Sequence, residues 1–314
     1  MKTLKILFAI AIATSIASCG SSESNQNNGG EEALNGTIKI DGSSTVYPIS
    51  EAVAEEFRAE APEVQVTIGS SGSGAGFKKF ARGETDISDA SRAIKESEIN
   101  SCTDAGIQFT EVTVAYDGLA VFVNKDNDWI SSMTVQDLKK LWQPESEGVL
   151  TRWNQLNPEW PDEEIHLFGP STAHGTYDYF TEEIMGESGS SRSDYTACAD
   201  YNVMVQGVST DKYALGYVGL AYVESNADAL KVVAIDNGNG PILPNKETVS
   251  QGTYVPLGRS LFMYVKTASM QRPEVKAFVN FYLDHAAELA EDVGYIKLPA
   301  EMYSQQKEKL NAAQ

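Results

Sequence analysis

Three stretches rich in serine, threonine and glycine hold the residues best placed to do chemistry: Asp41 to Ser50 (DGSSTVYPIS), Ser70 to Phe80 (SSGSGAGFKKF) and Gly169 to Phe180 (GPSTAHGTYDYF). Their hydroxyls are hydrogen-bond donors, and their glycines let backbone N–H groups approach a ligand without a Cβ in the way. Such groups together can hold an anion. They do so best at the start of a helix, where the first amides lack partners and the dipole places roughly half a positive charge.

The elements that must position these stretches are legible around them. Each follows a β-rich run, TIKI, VQVTI or IHLF, and each leads into a helical pattern. Val46, Ile49, Val53 and Phe57 recur at helical spacing over 46–59, and Phe77 and Phe80 do the same after the second stretch. FTEVTVAY and LAVFVN read as strands, Thr134 as the N-cap of VQDLKKLW, and Pro273 as the first turn of a helix to Leu289. The alternation predicts an α/β chain with mostly parallel sheet. All three stretches then fall at the carboxyl ends of strands, where open α/β sheets bind ligands.

Nucleotide and nucleophile templates fail. A P-loop needs Gly-Lys-Ser/Thr after its second spaced glycine, but Gly74 is followed by Ala75 and Gly76; G-x-G-x-x-G breaks at Phe77. Neither Ser71 nor Ser73 sits in a G-x-S-x-G elbow. No His, Cys and carboxylate spacing suggests a metal site, so no metal or cofactor is expected. Of the histidines only His174 lies in a candidate turn; His166 and His285 read as structural or exposed. Trp129, Trp142, Trp153 and Trp160 read as packing rather than a sugar platform.

With 314 residues, 42% of them hydrophobic, the chain can bury one large or two medium cores. Its net charge of −20 argues against nucleic acid as a partner. Residues 1–18 carry Lys2 and Lys5 and then an apolar stretch, the layout of a secretory signal. Ile16-Ala17-Ser18-Cys19 resembles the lipobox of bacterial lipoproteins, which implies lipid attachment at Cys19. Residues 19–36 read as a flexible tether.

The three turns in this order, with TDISDASRAIK and AYDGLAVFVNK between the second and third, resemble the phosphate-binding proteins (PstS family) of phosphate-uptake ABC transporters. The resemblance covers nearly everything from Thr37 onward. It implies a two-lobed periplasmic-binding-protein fold (type II) with one inorganic phosphate in the interlobe cleft and hinge closure on binding. It further implies delivery to a permease and its ATPase, and no catalysis. Residues 37–115 and 255–314 are expected to form lobe I and 116–254 lobe II, with 112–123 and 255–265 crossing between them. The protein is then expected to be a monomer on the periplasmic or cell-surface face of a bacterial membrane.

Carried onto this sequence, the family pattern places phosphate contacts on Ser44, Thr45, the Val46 amide, Ser73 with Gly74, and the Gly175-Thr176 pair. Well-known members have an arginine shortly before that pair, and an aspartate where this chain has Ser91-Arg92; here Pro170 stands in the first place. Arg92 is therefore expected to supply the guanidinium from the opposite lobe. Asp117 is the candidate acceptor for the phosphate proton, with Asp86 and Asp89 as alternatives. Such a carboxylate faces sulfate lone pair against lone pair. His174 replaces the usual serine and is a candidate donor whose protonation would make affinity vary with pH. Cys102 and Cys198, placed in different lobes, are expected to be unpaired. The alternatives are a binder of another tetrahedral oxyanion such as sulfate, a secreted phosphatase using Ser44 or Ser73 with His174, or an adhesion lipoprotein.

Overall fold

The computed structural model describes residues 34–312. The first run is β1 (Gly36–Gly42), α1 (Tyr47–Glu60), β2 (Val64–Gly69), α2 (Ser73–Ala81), β3 (Ile87–Ala90), α3 (Glu96–Asp104) and the 16-residue β4 (Phe109–Asn124). The middle of the chain supplies β5 (Ser132–Thr134), α4 (Val135–Trp142), α5 (Trp153–Leu156), β6 (His166–Pro170), α6 (Gly175–Met185), β7 (Thr196–Cys198) and α7 (Tyr201–Ser209). It continues through β8 (Ala214–Gly219), α8 (Leu220–Glu224), β9 (Leu230–Val232), β10 (Ala234–Asp236), β11 (Pro241–Ile242) and α9 (Lys246–Ser250). The chain closes with β12 (Gly258–Lys266), α10 (Pro273–Asp292) and α11 (Ala300–Ala312).

The main sheet runs β2-β1-β3-β12-β4-β8-β6-β7, with β9 added on β4. β4 is the shared strand. Its residues from Phe109 to Gly118 pair with β12, and those from Leu119 to Val123 pair with β8. One lobe therefore gathers β1, β2, β3 and β12, and the other β6, β7, β8 and β9, on the two halves of one long strand.

The mostly parallel sheet expected from the sequence is mixed. β1–β2, β1–β3, β6–β7 and β6–β8 are parallel, whereas β12 runs antiparallel to β3 and β4, and β4 antiparallel to β8 and β9. The reason lies in two strands: β12 runs against both β3 and the first half of β4, and the second half of β4 runs against β8 and β9.

Local reasons hold elsewhere. The Thr134 hydroxyl accepts from the Asp137 amide at 3.0 Å, the N-cap that the sequence suggested. Phe57 of α1 meets Phe278 of α10 edge to face at 5.3 Å, fastening the returning C-terminal helix onto the first lobe. Trp142 and Trp153 are fully buried, and Trp129 and Trp160 pack partly buried against the same core, as packing residues should. Cys102 and Cys198 are buried free thiols. His166 sits half-exposed beside Asp211, and His285 stacks on Phe281. Among the described residues no helix is long and apolar enough to cross a membrane. The signal segment and Cys19 lie outside the described residues.

Candidate functional site

Three helix N-termini converge. The loop before α1 is held from below: the Ser43 amide donates to the Asp89 carbonyl at 2.9 Å, and a Cβ on Gly42 would lie 2.0 Å from that same oxygen. Only glycine therefore allows β1 and β3 to close behind the loop. The loop before α2 is tied to it by the Gly72 amide, which donates to the Gly42 carbonyl at 2.7 Å with Gly72 at φ +87°. Asp41 accepts from the Ser71 amide and hydroxyl and from Lys79 at 2.5 Å. Burial works to raise the Asp41 carboxyl, but Lys79 and Ser71 outweigh it and hold it below its ordinary value.

The amides of Ser44, Val46, Ser73, Gly74, Ala75, Gly175 and Thr176 meet no protein acceptor among the described residues. Two hydroxyls are oriented as donors by what they accept. Thr45 Oγ1 receives Arg259 Nη2 at 2.9 Å, and Ser73 Oγ receives the Ser91 amide at 3.1 Å. Each must then point its own proton elsewhere, for Ser73 with the Ser91 hydroxyl 3.3 Å away as one acceptor, and both residues line the cleft.

The cleft is lined from the first lobe by Ser43, Ser44, Thr45, Gly72, Ser73, Gly74, Ser91, Arg92, Lys95 and Arg259. From α6 and the turn after it come Gly175, Asp178, Tyr179, Glu182, Glu183 and Ser188. Gly175 closes against the first loop: a Cβ there would lie 3.4 Å from Ser44 Oγ and 3.5 Å from the Thr45 amide nitrogen. Among the described residues no cluster of His, Cys, Asp and Glu could hold a metal ion.

Several expected site residues are arranged differently. Arg92 lines the cleft, but Nη1 and Nη2 are held by Glu98 at 2.9 and 2.8 Å, so its charge is largely answered. A second guanidinium, that of Arg259 of β12, also lines the cleft. Asp117 does not line the cleft; its Oδ2 accepts from Arg259 at 3.2 and 3.3 Å. Burial pushes the Asp117 carboxyl up, against the pull of Arg259. It holds the arginine rather than the ligand. Asp86 is taken up by Ser269, Arg272 and the Lys39 amide, and Asp89 lies beneath the first loop.

His174 precedes α6 but turns its ring away. Its Nε2 is 3.1 Å from the Ala199 carbonyl and its Nδ1 3.1 Å from the Tyr201 hydroxyl, and it does not line the cleft. The Thr176 hydroxyl also faces Tyr201, at 2.9 Å, and neither Thr176 nor Val46 lines the cleft. Arg259, which the sequence reading missed, left one trace: a lone arginine opening the otherwise apolar strand LFMYV.

A two-lobed α/β chain that collects unpaired amides from both lobes beside a guanidinium is an anion-binding protein of the periplasmic-binding type. The sequence profile of the PBP superfamily domain matches residues 27–285. Protein SphX of Synechocystis is 47% identical over 85% of this chain and 80% of its own length. The phosphate-binding protein PstS of Staphylococcus saprophyticus is 37% identical over 99% of this chain and 95% of its own. A crystal structure of a possible phosphate binding protein from Planctomyces limnophilus superimposes with a TM-score of 0.85 at 46% identity, covering 89% of this chain and 99% of that one. The chain belongs to the PBP superfamily and, within it, to the PstS family.

Proposed function

We propose that this protein binds one inorganic phosphate between its lobes and hands it to the permease and ATPase of an ABC transporter. The observation that carries this reading is that Ser44, Ser73, Gly74 and Gly175, whose amides are unpaired among the described residues, line one cleft together with Arg259, while the unpaired amides of Val46, Ala75 and Thr176 stand in the same three turns. Taking a phosphate dianion out of water is favourable only if nearly all its oxygens are paired. Charge-assisted hydrogen bonds contribute roughly 1.5–3 kcal/mol each, so this number of donors meets that demand. Ser44, Thr45, Val46, Ser73, Gly74, Ser91 and Arg259 serve from the first lobe and Gly175 and Thr176 from the second. Arg92 acts at the rim. Donors split between lobes also favour closure.

The carboxylates facing the cleft come from α6, so the acceptor for a phosphate proton is among Asp178, Glu182 and Glu183. On this reading the protein acts by binding, without catalysis. The N-terminal reading supports an exported monomer anchored through lipid on Cys19. Titration calorimetry of phosphate-free protein with phosphate and with sulfate tests the reading. Strong phosphate heat with weak sulfate heat is expected; the reverse sinks it.

A further inference from the structure

Among the described residues Arg259 is hydrogen-bonded from its own lobe and from the shared strand, and one ring reaches it from α6. Asp117 and Thr45 take Nε and Nη2, while the ring of Tyr179 from α6 lies against the guanidinium, 3.2 Å from its central carbon to the ring centroid. Tyr179 is 1% exposed and one helical turn beyond Gly175, on the same face of α6. Its hydroxyl donates at 2.9 Å to the Pro256 carbonyl, three residues before Arg259. We propose that Tyr179 is a positioning residue that readies Arg259 for phosphate only when the lobes are closed.

The inference rests on phosphate as the ligand and on Arg259 as its guanidinium. With Nε and Nη2 committed and one face covered, Nη1 is the edge of Arg259 left for an anion. A ring over the guanidinium also excludes water from that face, and a desolvated donor binds an anion more strongly. Asp117 faces Arg259 across the β4–β12 ladder, and Thr45 belongs to the same lobe as Arg259. Tyr179 leaves with α6, so opening returns one face of the guanidinium to water. The same α6 that brings the Gly175 and Thr176 amides thus brings the ring, and ligand contact and arginine positioning arrive together.

The test is a double-mutant cycle read by phosphate calorimetry. Tyr179→Phe keeps the ring and should bind within about threefold of the native protein. Tyr179→Leu should weaken binding roughly 30-fold, as loss of a desolvated cation–π contact predicts. In an Arg259→Gln background the same Tyr179→Leu change should cost less than about threefold, because Tyr179 acts through Arg259. Tyr179→Met, which fills the space without a ring, carries the same expectations if the leucine variant does not fold. Native-like binding by Tyr179→Leu, or an equal loss in both backgrounds, overturns the proposal. A native protein giving no phosphate heat overturns the phosphate reading instead.

Discussion

Arg259 and Thr45 stand 214 residues apart in the chain and meet at 2.9 Å, Nη2 to Oγ1, in the lining of the cleft. The contact does two things at once. It fixes the arginine, whose side chain is 11% exposed, and it leaves the threonine proton to point away from the arginine. The Asp117 side chain, 7% exposed, completes the arrangement from the shared strand.

Removing Arg259 should therefore separate binding from folding. Arg259→Gln is expected to weaken phosphate binding about 100-fold and also to destabilise the protein by about 3–5 kcal/mol, because it leaves the buried Asp117 without its partner. Adding Asp117→Asn should recover most of the stability and none of the affinity. Calorimetry and urea unfolding on the single and double variants check this. Recovery of affinity in the double variant would show that Arg259 is structural only.

Asp89 lies under the first loop with Ser50 donating to Oδ2 at 2.7 Å and Oδ1 buried without a partner. Burial pushes its carboxyl up to about 7; the Ser50 hydrogen bond opposes this and the Asp41 charge adds to it. The folded protein then holds a proton that the unfolded chain releases near 3.8, so between those values stability falls as pH rises, and above 7 the loss is complete. Asp89→Asn should accordingly stabilise phosphate-free protein more at pH 8 than at pH 5, by about 2 kcal/mol. Urea unfolding of both proteins across that range gives the difference, and a constant offset would contradict it.

His174 is expected to be silent in the pH dependence of binding. Its ring is occupied by Ala199 and Tyr201, away from the cleft. His174→Ser should keep phosphate affinity within about threefold of native, the weight of part of one neutral hydrogen bond, and follow the native profile from about pH 6 to 8. A flattened profile in calorimetry would return the imidazole to the ligand.

The three turns were legible because their evidence is local: a β-rich run, small donors and a helical pattern within a dozen residues. Arg259 was not, since its partners are 142 and 214 residues away and its own strand reads as apolar. Arg92 drew attention as a replacement for the arginine missing before Gly175-Thr176, and His174 by lying within the third turn. A neighbour in sequence need not aim its side chain at the same space, and Glu98 and Tyr201 each claimed one of them. The antiparallel entry of β4 and β12 was likewise hidden, because a strand's composition does not carry its direction.

Gly74 and Gly76 look alike in SGSGAGF, yet the structure gives them different tasks. A Cβ on Gly76 would lie 2.6 Å from the Gly42 Cα and 3.0 Å from the Asp41 carbonyl, so this glycine lets α2 press onto β1. At Gly74 the nearest atom is Arg92 Nη2 at 3.6 Å, and the residue faces the cleft. Gly76→Ala must move backbone against backbone and should cost about 1–3 kcal/mol of stability in phosphate-free protein. Gly74→Ala has room and a helical position, so its stability should stay within about 1 kcal/mol of native. Its methyl group, however, stands beside amides offered to the anion, and phosphate affinity should fall roughly tenfold, about the weight of one hydrogen bond. Thermal unfolding and calorimetry on the two variants should give opposite patterns. Equal losses of stability would mean that Gly74 too serves packing, and the second turn would then hold its ligand through Ser73 and Ala75 alone.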